Sequence, residues 1–199
     1  KVLAHLEQEK PYSTIELEAE DALILWSYTF LSAKPIILVA NLDDEQFRTM
    51  SYDGREELLR YCVESGIPIV EISADTEAEI AALSKEDQEM FCAELKIEEP
   101  GVSRLARAAY QVLGLISFFT VGEDEVRAWT IPVGSTAKQA AGKIHTDLER
   151  GFIRAELMKF SDMKTLGSPA KLKEKGLMAL EGKDYIVLDG DILSIRFNV

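Results

Sequence analysis

The sequence predicts an α/β chain in two parts: a parallel sheet with flanking helices, then a small open sheet curled around one helix. Three observations predict it. Strand-like and helix-like segments alternate as far as Ser117, the spacing of apolar residues changes from helical to alternating at Phe118, and the charge divides at nearly the same place. Residues 1–118 carry 10 Lys and Arg against 23 Asp and Glu, the whole net charge of −13, whereas residues 119–199 carry 12 of each. A chain of 199 residues, 47% hydrophobic, has the length for one domain or two. The charge contrast favours two.

Each element follows from its own residues. Residues 1–31 read as helix, with a capping-box form at Ser13-Thr-Ile-Glu16 before an apolar-rich run through Leu23, Trp26 and Phe30. Pro35 ends that pattern. Ile36 to Ala40 is an uninterrupted aliphatic run, expected as a strand buried on both faces of a parallel sheet. The polar cluster Asn41-Leu-Asp-Asp-Glu45 follows, then a helix from about Gly54 to Glu64 that Gly66 stops. Ile67 to Ile72 gives a second buried strand, which runs through Ser73-Ala74 into a helix rich in Glu and Ala. Val102 to Ser117 carries the apolar stripe of a helix packed on a sheet.

Beyond that point Phe118 to Val121 and Glu125 to Ile131 form a hairpin turning around Gly122 to Asp124. Ser135 or Thr136 caps a helix reaching about Arg150, Phe152 to Phe160 is a strand, and Ser168-Pro169 opens a short helix that ends at Gly176. The last 19 residues give two more strands, with Asp189-Gly-Asp191 as a hairpin turn between them. The boundary is expected near Ser117.

Composition narrows the function. No apolar run approaches the ~18 residues that span a bilayer, so no membrane role is expected. Two separated cysteines, Cys62 and Cys92, make no disulfide framework and suit a reducing cytoplasm as small buried hydrophobes. The chain opens at Lys1 inside an apparent helix, which leads to the expectation of sequence upstream. An acidic surface repels a phosphate backbone, which argues against DNA. Lys138 to Lys175, however, holds nine basic and five acidic residues. Lys138, Lys143, Arg150, Arg154, Lys159, Lys171, Lys173 and Lys175 are therefore candidates for contact with RNA or an acidic protein, against the alternative of an ordinary solvated face.

The candidate site of the first part lies where two strands end, at Asn41-Leu42-Asp43-Asp44 and Ser73-Ala74. Ligands sit at the carboxyl ends of strands in open α/β sheets. These residues resemble the base-binding positions of P-loop nucleotide-binding domains, where an Asn side chain ties two loops together beside a purine, an acid three residues on accepts the base's edge N–H groups, and a Ser-Ala turn offers backbone N–H groups. A bidentate contact of this kind discriminates between bases by roughly 1–3 kcal/mol. An Asn-x-Asp-Asp turn is also a common capping turn, so both readings stand on these residues alone.

Longer motifs carry a resemblance. Ala33-Lys-Pro-Ile-Ile-Leu-Val-Ala-Asn41 and Ser73-Ala-Asp-Thr-Glu-Ala-Glu79 resemble the late base-recognition motifs of the YchF family, the Obg-like ATPases. Phe118-Phe-Thr-Val-Gly122, Val126-Arg-Ala-Trp-Thr-Ile131, Gln139-Ala-Ala-Gly142, Ile144-His-Thr-Asp-Leu-Glu-Arg-Gly-Phe-Ile-Arg-Ala-Glu156, Gly182-Lys-Asp-Tyr185 and Asp189-Gly-Asp191 are similar, in wording and order, to that family's TGS domain. The resemblance implies a P-loop protein that binds ATP or GTP with Mg²⁺, hydrolyses ATP slowly and associates with the ribosome. It implies residues 1–33 as the end of a helical insertion, 34–117 as the C-terminal part of a G-like nucleotide-binding domain and 118–199 as a β-grasp TGS domain. It also assigns base contacts to Asn41, Leu42, Asp44, Ser73 and Ala74, with Leu42 entering on the resemblance alone.

Two departures stand out. The family's base motif is Asn-x-x-Glu, whereas the fourth position here is Asp44, which leaves base preference open. No Gly-x-x-x-x-Gly-Lys-Ser/Thr and no Asp-x-x-Gly occurs in these residues. Phosphoryl transfer needs a backbone cradle, a lysine and Mg²⁺ around the phosphates, so these 199 residues are expected to be inactive alone, with no catalytic and no metal-binding residue. His145 reads as a helix-surface or packing histidine. The rival readings are a non-catalytic adaptor working through its TGS half and a small-molecule sensor.

Overall fold

A computed structural model describes residues 1–94, 97, 99–122 and 125–198, and they form two compact units, Lys1–Val112 and Leu113–Val199. The division falls inside the segment that the sequence assigns to one helix. That helix stops at Val112 because Gly114, with φ +60°, turns the chain in the left-handed region, and Leu115 already begins a strand.

The first unit opens with α1 (Val2–Leu6) and α2 (Ala19–Leu25), separated by a 3₁₀ turn at Tyr12–Thr14. The expected continuous helix is absent, and Ser13 to Glu16 makes no capping box. The Thr14 hydroxyl instead donates back to the Pro11 carbonyl, and Tyr12 stacks on Phe30 with ring centroids 4.5 Å apart. Leu23, Trp26 and Leu31 are 79%, 86% and 80% exposed, so the apolar stripe that stabilises a longer helix has nothing here to pack against.

Two parallel strands follow, β1 (Leu38–Asn41) and β2 (Ile69–Ile72), in register from Leu38 opposite Ile69 to Asn41 opposite Ile72. They are the whole sheet of this unit among the described residues, so β1 is not buried on both faces: Val39 is 41% exposed. Between them run α3 (Asp44–Thr49), which the sequence reading missed, and α4 (Arg55–Ser65), flanked by Gly54 and Gly66. The missed helix carries a clear local signal, since Asp43 and Gln46 form a reciprocal capping box. After β2 the expected single helix is two, α5 (Ala74–Ala82) and α6 (Lys85–Glu94), followed by α7 (Gly101–Val112).

The second unit is a five-stranded sheet in the order β4-β3-β7-β5-β6, made of β3 (Leu115–Val121), β4 (Val126–Pro132), β5 (Phe152–Lys159), β6 (Ala179–Glu181) and β7 (Asp191–Phe197). The central pair β3 and β7 is parallel and the other neighbours are antiparallel. This mixed sheet, with α8 (Ala137–Ile144) on one face, is a β-grasp arrangement. Phe118, Ala140, Ala155, Leu157 and Leu193 are buried in the core that α8 closes. On the opposite face Met158 and Ile192 pack with Leu172 of α11 (Pro169–Glu174), beside the unforeseen α10 (Phe160–Leu166).

Other expectations shift in detail. The helix from Thr136 breaks at His145, which ends α8 and caps α9 (Thr146–Arg150) by accepting the Asp147 N–H on Nδ1. The histidine is thus a cap. Glu123 and Asp124 of the expected hairpin turn lie outside the described residues. Asp189-Gly-Asp191 does not join two hairpin strands: Ile186, upstream of it, makes only an isolated bridge to Thr136, and β6 lies earlier than expected. Asp191 is instead 1% exposed, held by Lys159, the Tyr185 hydroxyl and the Leu188 N–H.

Candidate functional site

The parallel pairing of β1 with β2 brings their C-terminal ends side by side. Four of the five residues expected to contact a base meet there: Asn41, Asp44, Ser73 and Ala74. The Asn41 Oδ1 accepts the Ala74 N–H at 3.0 Å, tying the end of β1 to the first turn of α5. The Asp44 Oδ1 accepts from the Ser73 hydroxyl at 3.0 Å and from the Thr76 hydroxyl at 2.7 Å. Ser73 caps α5 through the Thr76 N–H at 3.3 Å, and the Thr76 hydroxyl lies 2.9 Å from the Ser73 oxygen. One short network thus joins the starts of α3 and α5.

Two roles expected from the sequence change. The Ala74 N–H is already donated to Asn41, so it is not open to a base as the Ser-Ala turn suggested. Leu42 is 7% exposed and donates its N–H to the Ile72 carbonyl, which makes its side chain a core group. Thr76 is the residue that sequence reasoning passed over. Its signal lay in Ser73-x-x-Thr76, where a cap and the third residue of a helix share a face.

The Asp44 carboxyl is held below its usual range by the hydrogen bond from Thr76 and then that from Ser73, against a smaller opposing effect of burial. Hydroxyl donors favour the charged form, so the group is a carboxylate at neutral pH. Asp44 and Thr76 also border a cavity of about 1300 Å³ walled by Phe47, Met50, Phe91 and Arg104. Among the described residues no three His, Cys, Asp or Glu side chains converge to hold a metal ion.

The basic set of the second unit is not one patch. Lys159 is inside the fold's own chemistry, 2.6 Å from the buried Asp191 and 3.3 Å from the Tyr185 hydroxyl. Arg150 pairs with Asp147 at 2.5 Å. Arg154 alternates with Ala155, so it stands on the sheet face opposite α8, which carries Lys138 and Lys143. Lys171, Lys173 and Lys175 are exposed around α11. The eight candidates therefore divide over different faces of the second unit, with Arg154 and the lysines of α11 on the side opposite α8. No helix among the described residues is long and apolar enough to cross a membrane.

The comparisons with known proteins agree with this architecture. The family model "YchF-GTPase_C: Protein of unknown function (DUF933)" matches residues 115–198. A protein of Escherichia coli O157:H7 named "Ribosome-binding ATPase YchF" is 44% identical over 199 residues, taking in 100% of this chain and 54% of its own. The Bacillus subtilis (strain 168) protein of the same name is 40% identical over 200 residues, covering 100% of this chain and 55% of its own. The solved structure titled "Structure of the Schizosaccharomyces pombe YchF GTPase" superposes with a TM-score of 0.83 at 29% identity, over 98% of this chain and 52% of that one. A "GTP binding protein from Pyrococcus horikoshii" shares the fold at a TM-score of 0.59 and 20% identity, over 98% of this chain and 55% of that one. The chain spans about half the length of the curated relatives it matches. On these matches, and on motifs that run through both of its units, the chain belongs to the YchF family.

Proposed function

We propose that this chain is the base-recognising end of a nucleotide-binding domain joined to a TGS-type β-grasp domain, both parts of a longer ATPase that associates with the ribosome. The observation that carries the reading is the bridge from Asn41 to Ala74 at the ends of two parallel strands, with the Asp44 carboxylate beside it. Such a bridge pre-sets two loops around one ligand edge, and pre-organisation is what a base site needs. ATP or GTP would be bound with Mg²⁺, and the phosphate cradle, the lysine and the metal ligands would come from outside these 199 residues. Ribosome association is proposed from the relatives' printed name, with the exposed Lys138, Lys143, Arg154, Lys171, Lys173 and Lys175 as contacts. Lys159 is withdrawn from that role because it serves Asp191.

The test is nucleotide binding by the longer polypeptide with and without Asn41→Ala. Removing the bridge is expected to weaken binding about tenfold, the loss of one or two well-placed hydrogen bonds. Undiminished binding would sink the assignment of this site. The 199-residue chain alone is expected to release phosphate at no more than the buffer rate.

A further inference from the structure

We infer that Thr76 selects the base, by occupying an oxygen of Asp44 that a guanine would need. The inference rests on the base-site reading above. A carboxylate has two oxygens with about four acceptor positions. Both hydroxyls, from Thr76 at 2.7 Å and Ser73 at 3.0 Å, fall on the same one, Oδ1. Its two lone pairs are thereby filled, and among the described residues no donor lies on Oδ2.

The consequence is chemical. Guanine offers two parallel N–H donors on its edge, and a fork-like contact uses both oxygens of one carboxylate. Adenine offers a single exocyclic amine, which one oxygen satisfies. An Asp44 reduced to Oδ2 accepts the amine and leaves one guanine donor unpaired, and a polar group buried without its partner is penalised. Thr76 cannot leave easily. It is 8% exposed, and its N–H is held by the Ser73 oxygen, which caps the same helix. Thr76 is thus a positioning residue that acts through Asp44 and touches no base itself. Asp44, shorter than a glutamate by one methylene, is anchored back into the protein.

The experiment is done on the longer polypeptide with Mg²⁺, measuring the affinities of fluorescent adenosine and guanosine triphosphate analogues for the parent, Thr76→Val, Thr76→Ala and Thr76→Ser. The parent is expected to favour adenosine. Thr76→Val keeps the shape and removes the hydroxyl, so the guanosine-to-adenosine affinity ratio is expected to rise about tenfold. Thr76→Ser restores the hydroxyl and is expected to restore the parent's ratio. Thr76→Ala reports the same change should valine not be accommodated. An unchanged ratio with both affinities lowered together assigns Thr76 a purely structural role and overturns the inference while leaving the base site standing. A parent that favours guanosine overturns it as well. A parent that binds neither analogue overturns both the inference and the reading beneath it.

Discussion

At the scale of single residues, two charged groups tie strands to their surroundings. Glu71 of β2 accepts from Arg55 at 2.8 and 3.0 Å and from the Tyr52 hydroxyl at 2.9 Å. Arg55 first, with Tyr52 in support and burial opposing, holds its carboxyl below the ordinary 4.5. A carboxylate with a lowered folded-state pKa stabilises the fold above its unfolded pKa, and the stabilisation is lost as pH falls through the folded value. Glu71→Gln is therefore expected to lower the melting temperature at neutral pH, and the gap to the parent is expected to close as the pH is taken below 4.5. A gap that persisted in acid would mean that the pair contributes by shape alone. In the second unit, Lys159→Met leaves the Asp191 carboxylate, 1% exposed, without its cation. The Lys159 side chain is 43% exposed, which discounts the penalty of a fully buried pair to about 1–3 kcal/mol, measurable by urea unfolding.

At the scale of elements, caps and close approaches decide where helices and strands stop. Thr136 and Gln139 form a capping box at the start of α8, the helix that closes the β-grasp core. Thr136→Ala is expected to cost about 0.5–2 kcal/mol, read from the denaturant midpoint of the second unit. Gly151 marks the turn from α9 into β5, and there the Asn198 carbonyl comes so near that a Cβ would strike backbone. Gly151→Ala is expected to destabilise by more than about 1 kcal/mol, because two backbones must separate and the bond from the Asn198 N–H to the Gly151 carbonyl at 2.9 Å must stretch. Equal stability of Gly151→Ala and the parent would show that the strand end yields freely. Helix ends were legible in sequence at Gly54, Gly66 and Ser168, where a glycine or a cap bounds a lone helix, though the capping box of Asp43 and Gln46 was passed over. They were illegible where one helical pattern hides a break, as at His145 and Gly114.

At the scale of the whole molecule, the two units differ in how well each covers its own apolar surface. The second buries Phe118, Leu172 and Leu193 among its own elements, and a piece spanning residues 113–199 is expected to unfold in one cooperative transition by itself. A gradual, non-cooperative melt would contradict that. The first unit leaves Trp26, Leu31 and Val39 exposed around a two-stranded sheet, and two strands are marginal without neighbours. The sequence by itself carried the alternation of strands and helices, the resemblance to the family and its β-grasp domain, and the placement of Asn41 and Ser73 where two strands end, because alternation, caps and long motifs are local properties of the chain. Only the tertiary structure decided that Asn41 holds Ala74, that Thr76 fills one oxygen of Asp44, and that the basic residues part onto different faces. Those facts depend on which atoms two distant segments bring within 3 Å of each other, and no spacing along the chain records that distance.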